Sequence, residues 1–193
     1  MDSFRRFSLV SFLMAGVMAL AVGLAMPGVA QAQAEAQAET QAETRPETRA
    51  EDRGPVTNLP LPRFVTLKAS EANVRRGPSL THRIDWVFTA KGMPLEVVGE
   101  YGHWRRVRDH DGVGGWVHYT LLSGARAGLV QRDQAPLFAR ADTGSTLNAS
   151  METGVIVALE RCGPLWCKGK TGGHKGWVMK ADLWGVGDDE VFD

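Results

Sequence analysis

The sequence predicts an all-β fold built as two tandem modules of about 60 residues, each a small β-barrel or sandwich. Three observations carry that prediction. First, residues 100–122 read as a β-hairpin, with strands at 104–108 and 115–118 around a polar turn at 109–114. Asp111 and Gly112 tolerate positive φ in the turn, and Trp104, Val107, Trp116 and Val117 supply β-prone bulk on either side. Second, the chain repeats. Ala72, Asn73 and Val74 match Ala135, Pro136 and Leu137 at an offset of 63, Gly92 and Trp104 match Gly154 and Trp166 at 62, and Gly115, Trp116 and Val117 match Gly176, Trp177 and Val178 at 61. The drift in offset means single deletions, which belong in turns. Third, the remaining apolar segments are short, spaced 8 to 12 residues apart, and lack a helical period.

The amino-terminal end reads as an export signal. Arg5 and Arg6 precede an uncharged run rich in Leu, Val, Ala and Met, which Pro27 and Gly28 break. Ala30, Gln31 and Ala32 then offer small residues for cleavage at Ala32, so residues 1–32 are assigned to a signal peptide. The apolar run is long for a signal core, and a retained membrane anchor is the competing reading. Residues 33–61 form a low-complexity spacer of Gln, Ala, Glu and Thr, ending in Gly54, Pro55 and Pro60. Such a segment buries too little surface to offset the entropy of ordering.

The first module spans 62–123. Residues 64–68 alternate, 72–75 form a brief strand turned by Gly77 and Pro78, 84–89 and 95–100 follow, and 120–122 close with one helical turn. The second module spans 126–185, with strands expected at 129–131, 137–139, 155–159, 166–169 and 177–179. Residues 186–193 read as a frayed acidic tail.

Charge excludes one function class. The formal net charge is zero, and residues 62–122 carry nine Lys or Arg against six Asp or Glu. That balance is too small for a nucleic-acid-binding protein. No phosphate loop or dinucleotide fingerprint is present, so no cofactor is expected. The histidines lack paired metal-ligand spacing; His110, Asp111 and His118 form a site only on paper, and no metal is expected. Cys162 and Cys167, the only cysteines, flank the tip of the second hairpin and are expected to form a disulfide in an exported chain. A catalytic Cys167 with His174 as base lacks a third orienting group, so an enzyme is not expected.

The run Ala72, Asn73, Val74, Arg75, Arg76, Gly77, Pro78, Ser79, followed by Trp104 to Val107 and by Gly115, Trp116 and Val117, resembles the bacterial SH3-like family in order and spacing. The resemblance covers residues 64–122 strongly and about 127–184 more weakly, where Arg140 and Ala141 replace Gly77 and Pro78. It implies a small five-to-seven-stranded barrel in each module and noncovalent binding of cell-wall peptides or envelope protein segments by an exported, periplasmic protein. From the amino-terminal segment, membrane contact is expected only through the export signal or a retained anchor. For the second module the resemblance implies the same fold with a different or lost binding surface.

Aromatic side chains give wide, rigid contact with a polar edge, and arginine pairs two-pronged with carboxylates. The candidate ligand-binding residues are therefore Tyr101, Trp104, Trp116 and Tyr119, with Arg75, Arg76 and Arg106 as charged neighbours. The competing reading places the tryptophans in the core and the arginines on a solvated strand face.

Overall fold

The computed structural model describes residues 53–193, and the expected signal peptide, its expected cleavage at Ala32 and most of the expected spacer lie outside the described residues. The described chain is built from β-strands and short 3-10 turns, in two antiparallel sheets of seven strands each. No helix among the described residues is long and apolar enough to cross a membrane.

The first barrel contains β1 (Arg63–Leu67), β2 (Ala72–Arg75), β3 (Ile84–Phe88), β4 (Pro94–Tyr101), β5 (Trp104–Arg108), β6 (Gly114–His118) and β7 (Leu122–Ser123), in the order β3-β2-β6-β5-β4-β1-β7. The second contains β8 (Arg126–Val130), β9 (Ala135–Phe138), β10 (Leu147–Met151), β11 (Ile156–Cys162), β12 (Trp166–Thr171), β13 (His174–Met179) and β14 (Leu183–Trp184). Its order, β10-β9-β13-β12-β11-β8-β14, is the same order strand for strand. The internal repeat is thus a repeat of topology.

Alternation along the strands sets each core. Val74, Leu95, Val97, Val107 and Val117 close the first, and Leu137, Val157, Cys167 and Val178 close the second, all essentially inaccessible to solvent. The intervening residues face outward. The predicted hairpin forms β5 and β6, and the predicted closing turn is the 3-10 turn Tyr119–Leu121. Gly102 and Gly112, both at positive φ, make the tight reversals on either side of β5.

Three differences from the sequence reading have physical causes. Strand β10 was not expected, because Asn148 and Ser150 interrupt its apolar character; its pairing with β9 places it. Residues 53–61, expected as solvated spacer, are folded onto the first barrel. Arg53 bridges Pro60, and the intervening turn donates backbone N–H groups of Val56 and Thr57 to the carboxylate of Glu100 at 3.0 and 2.9 Å. The composition of a segment does not reveal a buried acceptor more than 40 residues away. The acidic tail is likewise ordered. Val186 is buried, Phe192 exchanges backbone hydrogen bonds with Cys162 at 2.8 and 3.0 Å, and Glu190 pairs with Arg126 at 2.6 Å.

The two barrels touch through named side chains. Phe64 of β1 meets Trp184 of β14 edge-on at 5.2 Å between ring centres, and Arg126 donates to the Phe64 carbonyl at 2.6 Å.

Candidate functional site

Strand pairing assembles most of the candidate residues on one surface. On β5 the side chains of Arg105 and Val107 point inward, so Trp104, Arg106 and Arg108 face out. On β6 the buried residue is Val117, so Trp116 and His118 face out. Register then sets two rows. Arg75, Trp116, Arg106 and Gly99 lie opposite one another across β2, β6, β5 and β4. The adjacent row holds His118, Trp104 and Tyr101. Both tryptophans are half-buried and lie outside the core cluster, so the reading that makes them core is not the arrangement adopted.

The arginines differ in their engagement. Arg75 donates to the carbonyls of Leu80 and His82 at 3.0 and 2.7 Å and braces the loop between β2 and β3. Arg76 pairs with Asp85 at 3.2 Å, and Arg83 reaches the same carboxylate at 2.7 Å. The Arg83 hydrogen bond, aided by Arg76, holds the Asp85 carboxyl below the usual carboxylate range. Arg108 pairs with Glu96. Arg106 makes no ion pair among the described residues and is exposed. It stands beside Trp116 in an open cleft of about 750 Å³, whose other walls include Arg76, Asp85, Arg108 and the glycines of the β5–β6 turn. An uncommitted guanidinium beside an indole, on a glycine-lined floor, suits a planar anion such as a carboxylate.

The second row forms an aromatic corner. His118 meets Trp104 edge-on at 5.5 Å, His103 stacks on Tyr119 at 5.6 Å, and Arg105 lies 5.9 Å from the centre of the Tyr119 ring. Trp104, His103 and His118 border a shallow pocket closed by Pro78, Ser79 and Leu80. Tyr101 lies at the outer end of this row and is 65% exposed. Sequence reasoning missed His103 and His118 as neighbours of the site. The alternation of Trp116, Val117 and His118 was the signal that places His118 there.

Cys162 and Cys167 are bonded, as expected. His110 and His118 sit near opposite ends of the β5–β6 hairpin, so they do not converge on one ion. Among the described residues, Asp109, His110 and Asp111 bring potential ligand atoms together, but one Asp109 oxygen already accepts the N–H groups of Asp111 and Val113 at 3.1 and 2.8 Å. This is the chemistry of a tight turn.

The bacterial SH3 domain family matches residues 68–124 and 131–185, one match for each barrel. No characterised protein in the curated set matches the chain. Among solved structures, NlpC2 from Trichomonas vaginalis aligns at 12% identity and a TM-score of 0.30, over 64% of this chain and 48% of that one. NlpC1 from the same organism aligns at 12% identity and 0.30, over 63% and 45%. The chain therefore spans about half the length of either protein. The two family matches cover more than half of the chain and coincide with its two barrels, and the chain belongs to the bacterial SH3 domain family, in tandem.

Proposed function

We propose that this chain is an exported, non-enzymatic binding protein of the cell envelope, and that its first barrel recognises the carboxylate-bearing peptides of peptidoglycan. The observation that carries the reading is Arg106, a cation without a protein partner among the described residues, directly opposite Trp116 on an exposed sheet face. A carboxylate pairs with the guanidinium while the peptide lies against the indole. The adjacent corner of Trp104, His118, His103 and Tyr119 extends the same surface with polar-edged rings. The affinity has a screened, electrostatic part, because the cleft is open to solvent.

The test is co-sedimentation of the exported chain with purified peptidoglycan across a salt series. Binding should weaken as salt rises, and Arg106→Gln should lower affinity several-fold at low salt. Failure of the unaltered chain to pellet with the wall at low salt would rule this reading out.

A second reading, an envelope protein adaptor, is favoured by β3. This edge strand exposes Ile84, Trp86 and Val87, and Asp85, its one carboxylate, is already paired with arginines. An unguarded apolar edge suits addition of a strand from a partner. A photocrosslinker at Val87 should then capture one recurrent envelope protein, and a diffuse background would count against the adaptor.

A further inference from the structure

The second barrel repeats the outer row of the first with altered chemistry. Phe138, Trp177, Lys168 and Arg161 lie opposite one another across β9, β13, β12 and β11. These positions correspond to Arg75, Trp116, Arg106 and Gly99. In the next row Met179 lies opposite Trp166 where His118 lies opposite Trp104. Leu165 precedes Trp166 where His103 precedes Trp104. Both imidazoles of the first barrel's corner are thus replaced by apolar side chains, His118 by Met179 and His103 by Leu165. In the first row Lys168 keeps a cation at the Arg106 position, Phe138 replaces Arg75, and Arg161 adds a cation where the first barrel has Gly99. Lys168 makes no ion pair among the described residues, and the Arg161 guanidinium lies 5.9 Å from the centre of the Trp177 ring.

Beside these cations is a groove of about 400 Å³, lined chiefly by Leu165, Trp166, Trp177, Pro164 and Val191, with Arg161 at its edge. Leu165 is 68% exposed and Val191 62% exposed. Both walls are tied down. The Cys162–Cys167 bond closes the hairpin that carries Leu165, and backbone hydrogen bonds between Phe192 and Cys162 hold the segment that carries Val191. A ligand entering this groove orders little that is not already ordered. Large apolar side chains held in water on a rigid frame mark a binding surface.

We propose that the outer face of the second barrel is a separate peptide site. It takes an extended peptide whose carboxylate rests against Lys168 and Arg161 and whose neighbouring apolar side chain fills the groove beside Trp166. Charge complementarity selects this occupant. Arg161 lines the groove, and Lys168, the register partner of both Arg161 and Trp177, stands next to it; neither makes an ion pair among the described residues, and the carboxylate of Asp193, also lining the groove, disfavours a ligand with several negative charges. The acidic residues Asp188, Asp189, Glu190 and Asp193 around Val191 disfavour an anionic bilayer for the same reason. This site is independent of the one on the first barrel and chemically distinct from it.

The six tryptophans provide the readout, since their indole N–H signals resolve the two barrels in a nitrogen-edited NMR titration. The probes are N-acetyl-Gly-Leu with a free carboxylate, its carboxamide, and N-acetyl-Gly-Ser. On the exported chain, acetyl-Gly-Leu should shift the Trp166 and Trp177 signals. The carboxamide should bind roughly tenfold more weakly, as should the Lys168→Gln, Arg161→Gln double variant toward the carboxylate probe. Leu165→Ser should remove the preference for Leu over Ser while leaving the fold intact. Equal binding of acid and amide would overturn the proposal. So would shifts confined to Trp104 and Trp116, which would leave the first-barrel reading standing. Absence of any shift, or Leu165-dependent binding to phosphatidylglycerol vesicles in place of the peptides, would overturn it too.

Discussion

Glu100 and Arg105 are register partners across β4 and β5, with Arg105 Nε 3.5 Å from Glu100 Oε1 and both side chains nearly shut off from water. Cys162 and Cys167 are register partners across β11 and β12 at the corresponding place in the second barrel. One barrel closes its hairpin with a buried ion pair and the other with a covalent bond. In each case the hairpin end also receives an added segment: the turn at 54–57 hydrogen-bonds to Glu100, and Phe192 pairs with Cys162. The two barrels share a device and differ in its chemistry.

Glu100 makes the first barrel acid-sensitive. Burial alone would raise its pKa, but the Thr57 hydroxyl at 2.6 Å, the Thr57 and Val56 N–H groups and Arg63 at 2.7 Å outweigh that and hold it at about 2. The folded-state value lies below the unfolded one, so the stabilisation is present above the unfolded value. It is lost as pH falls through the folded value. That contribution is of the order of 3 kcal/mol, lost between about pH 5 and pH 2. Glu100→Gln should be less stable at neutral pH and should flatten this acid limb in denaturant titrations. Limited proteolysis should also cut the variant near residues 53–61, which lose their acceptor.

Arg126 is the second point of vulnerability. Besides the Phe64 carbonyl, it reaches Gly185 O at 3.2 Å and Glu190 at 2.6 Å, so one side chain ties β1, the turn after β14 and the tail together. Arg126→Ala leaves a partly buried carbonyl and a carboxylate without their donor, at a cost of about 2 kcal/mol. Amide exchange should accelerate at residues 187–192, and denaturation followed separately at Trp104 and Trp177 should diverge further as the barrels lose coupling. An unchanged exchange pattern would show that the aromatic contact between Phe64 and Trp184 suffices.

The internal repeat, the hairpin and the cysteine pair were legible in the sequence because each is local: two-residue alternation, a turn that demands Gly112, and a short loop between thiols. The site was half legible. Trp104, Trp116 and Arg106 stood out by residue type, and register brings them to one face. Arg75 has the right type and serves mainly to brace a loop, which no pattern in the chain distinguishes from binding. Residues 53–61 and 186–193 were misread for one reason. Their partners, Glu100, Arg126 and Cys162, are distant in sequence, and composition carries no information about such pairings.

Gly115 explains why a glycine precedes the tryptophan of the outer row. A Cβ at Gly115 would lie 2.6 Å from the carbonyl oxygen of Arg75 and 2.9 Å from Val74 Cγ1, so strand β2 would have to move. Gly176 stands in the same relation to Phe138 and Leu137 in the second barrel. Gly115→Ala should therefore destabilise the first barrel by about 1–3 kcal/mol. Because Arg75 and Trp116 are register partners, the same change should lower the wall binding proposed for this face even where the barrel stays folded. Gly124→Ala, with open space around its Cβ, is the matched control and should alter neither property.

The disulfide gives the last prediction. It closes a loop with a sequence separation of five, for which loop-closure entropy gives about 2 kcal/mol. The bond lies wholly in the second barrel, and Cys167 belongs to that barrel's core. Cys162→Ala, Cys167→Ala should therefore lower the stability of the second barrel by about that amount and leave the pH response set by Glu100 unchanged. The Phe192 backbone bonds to residue 162 do not need the thiol, so the tail should stay docked at equilibrium but exchange its amides faster. Chemical denaturation monitored separately at Trp104 and Trp177 separates these outcomes. Equal loss at both tryptophans would mean that the barrels unfold as one unit, with the contact through Arg126 transmitting the damage.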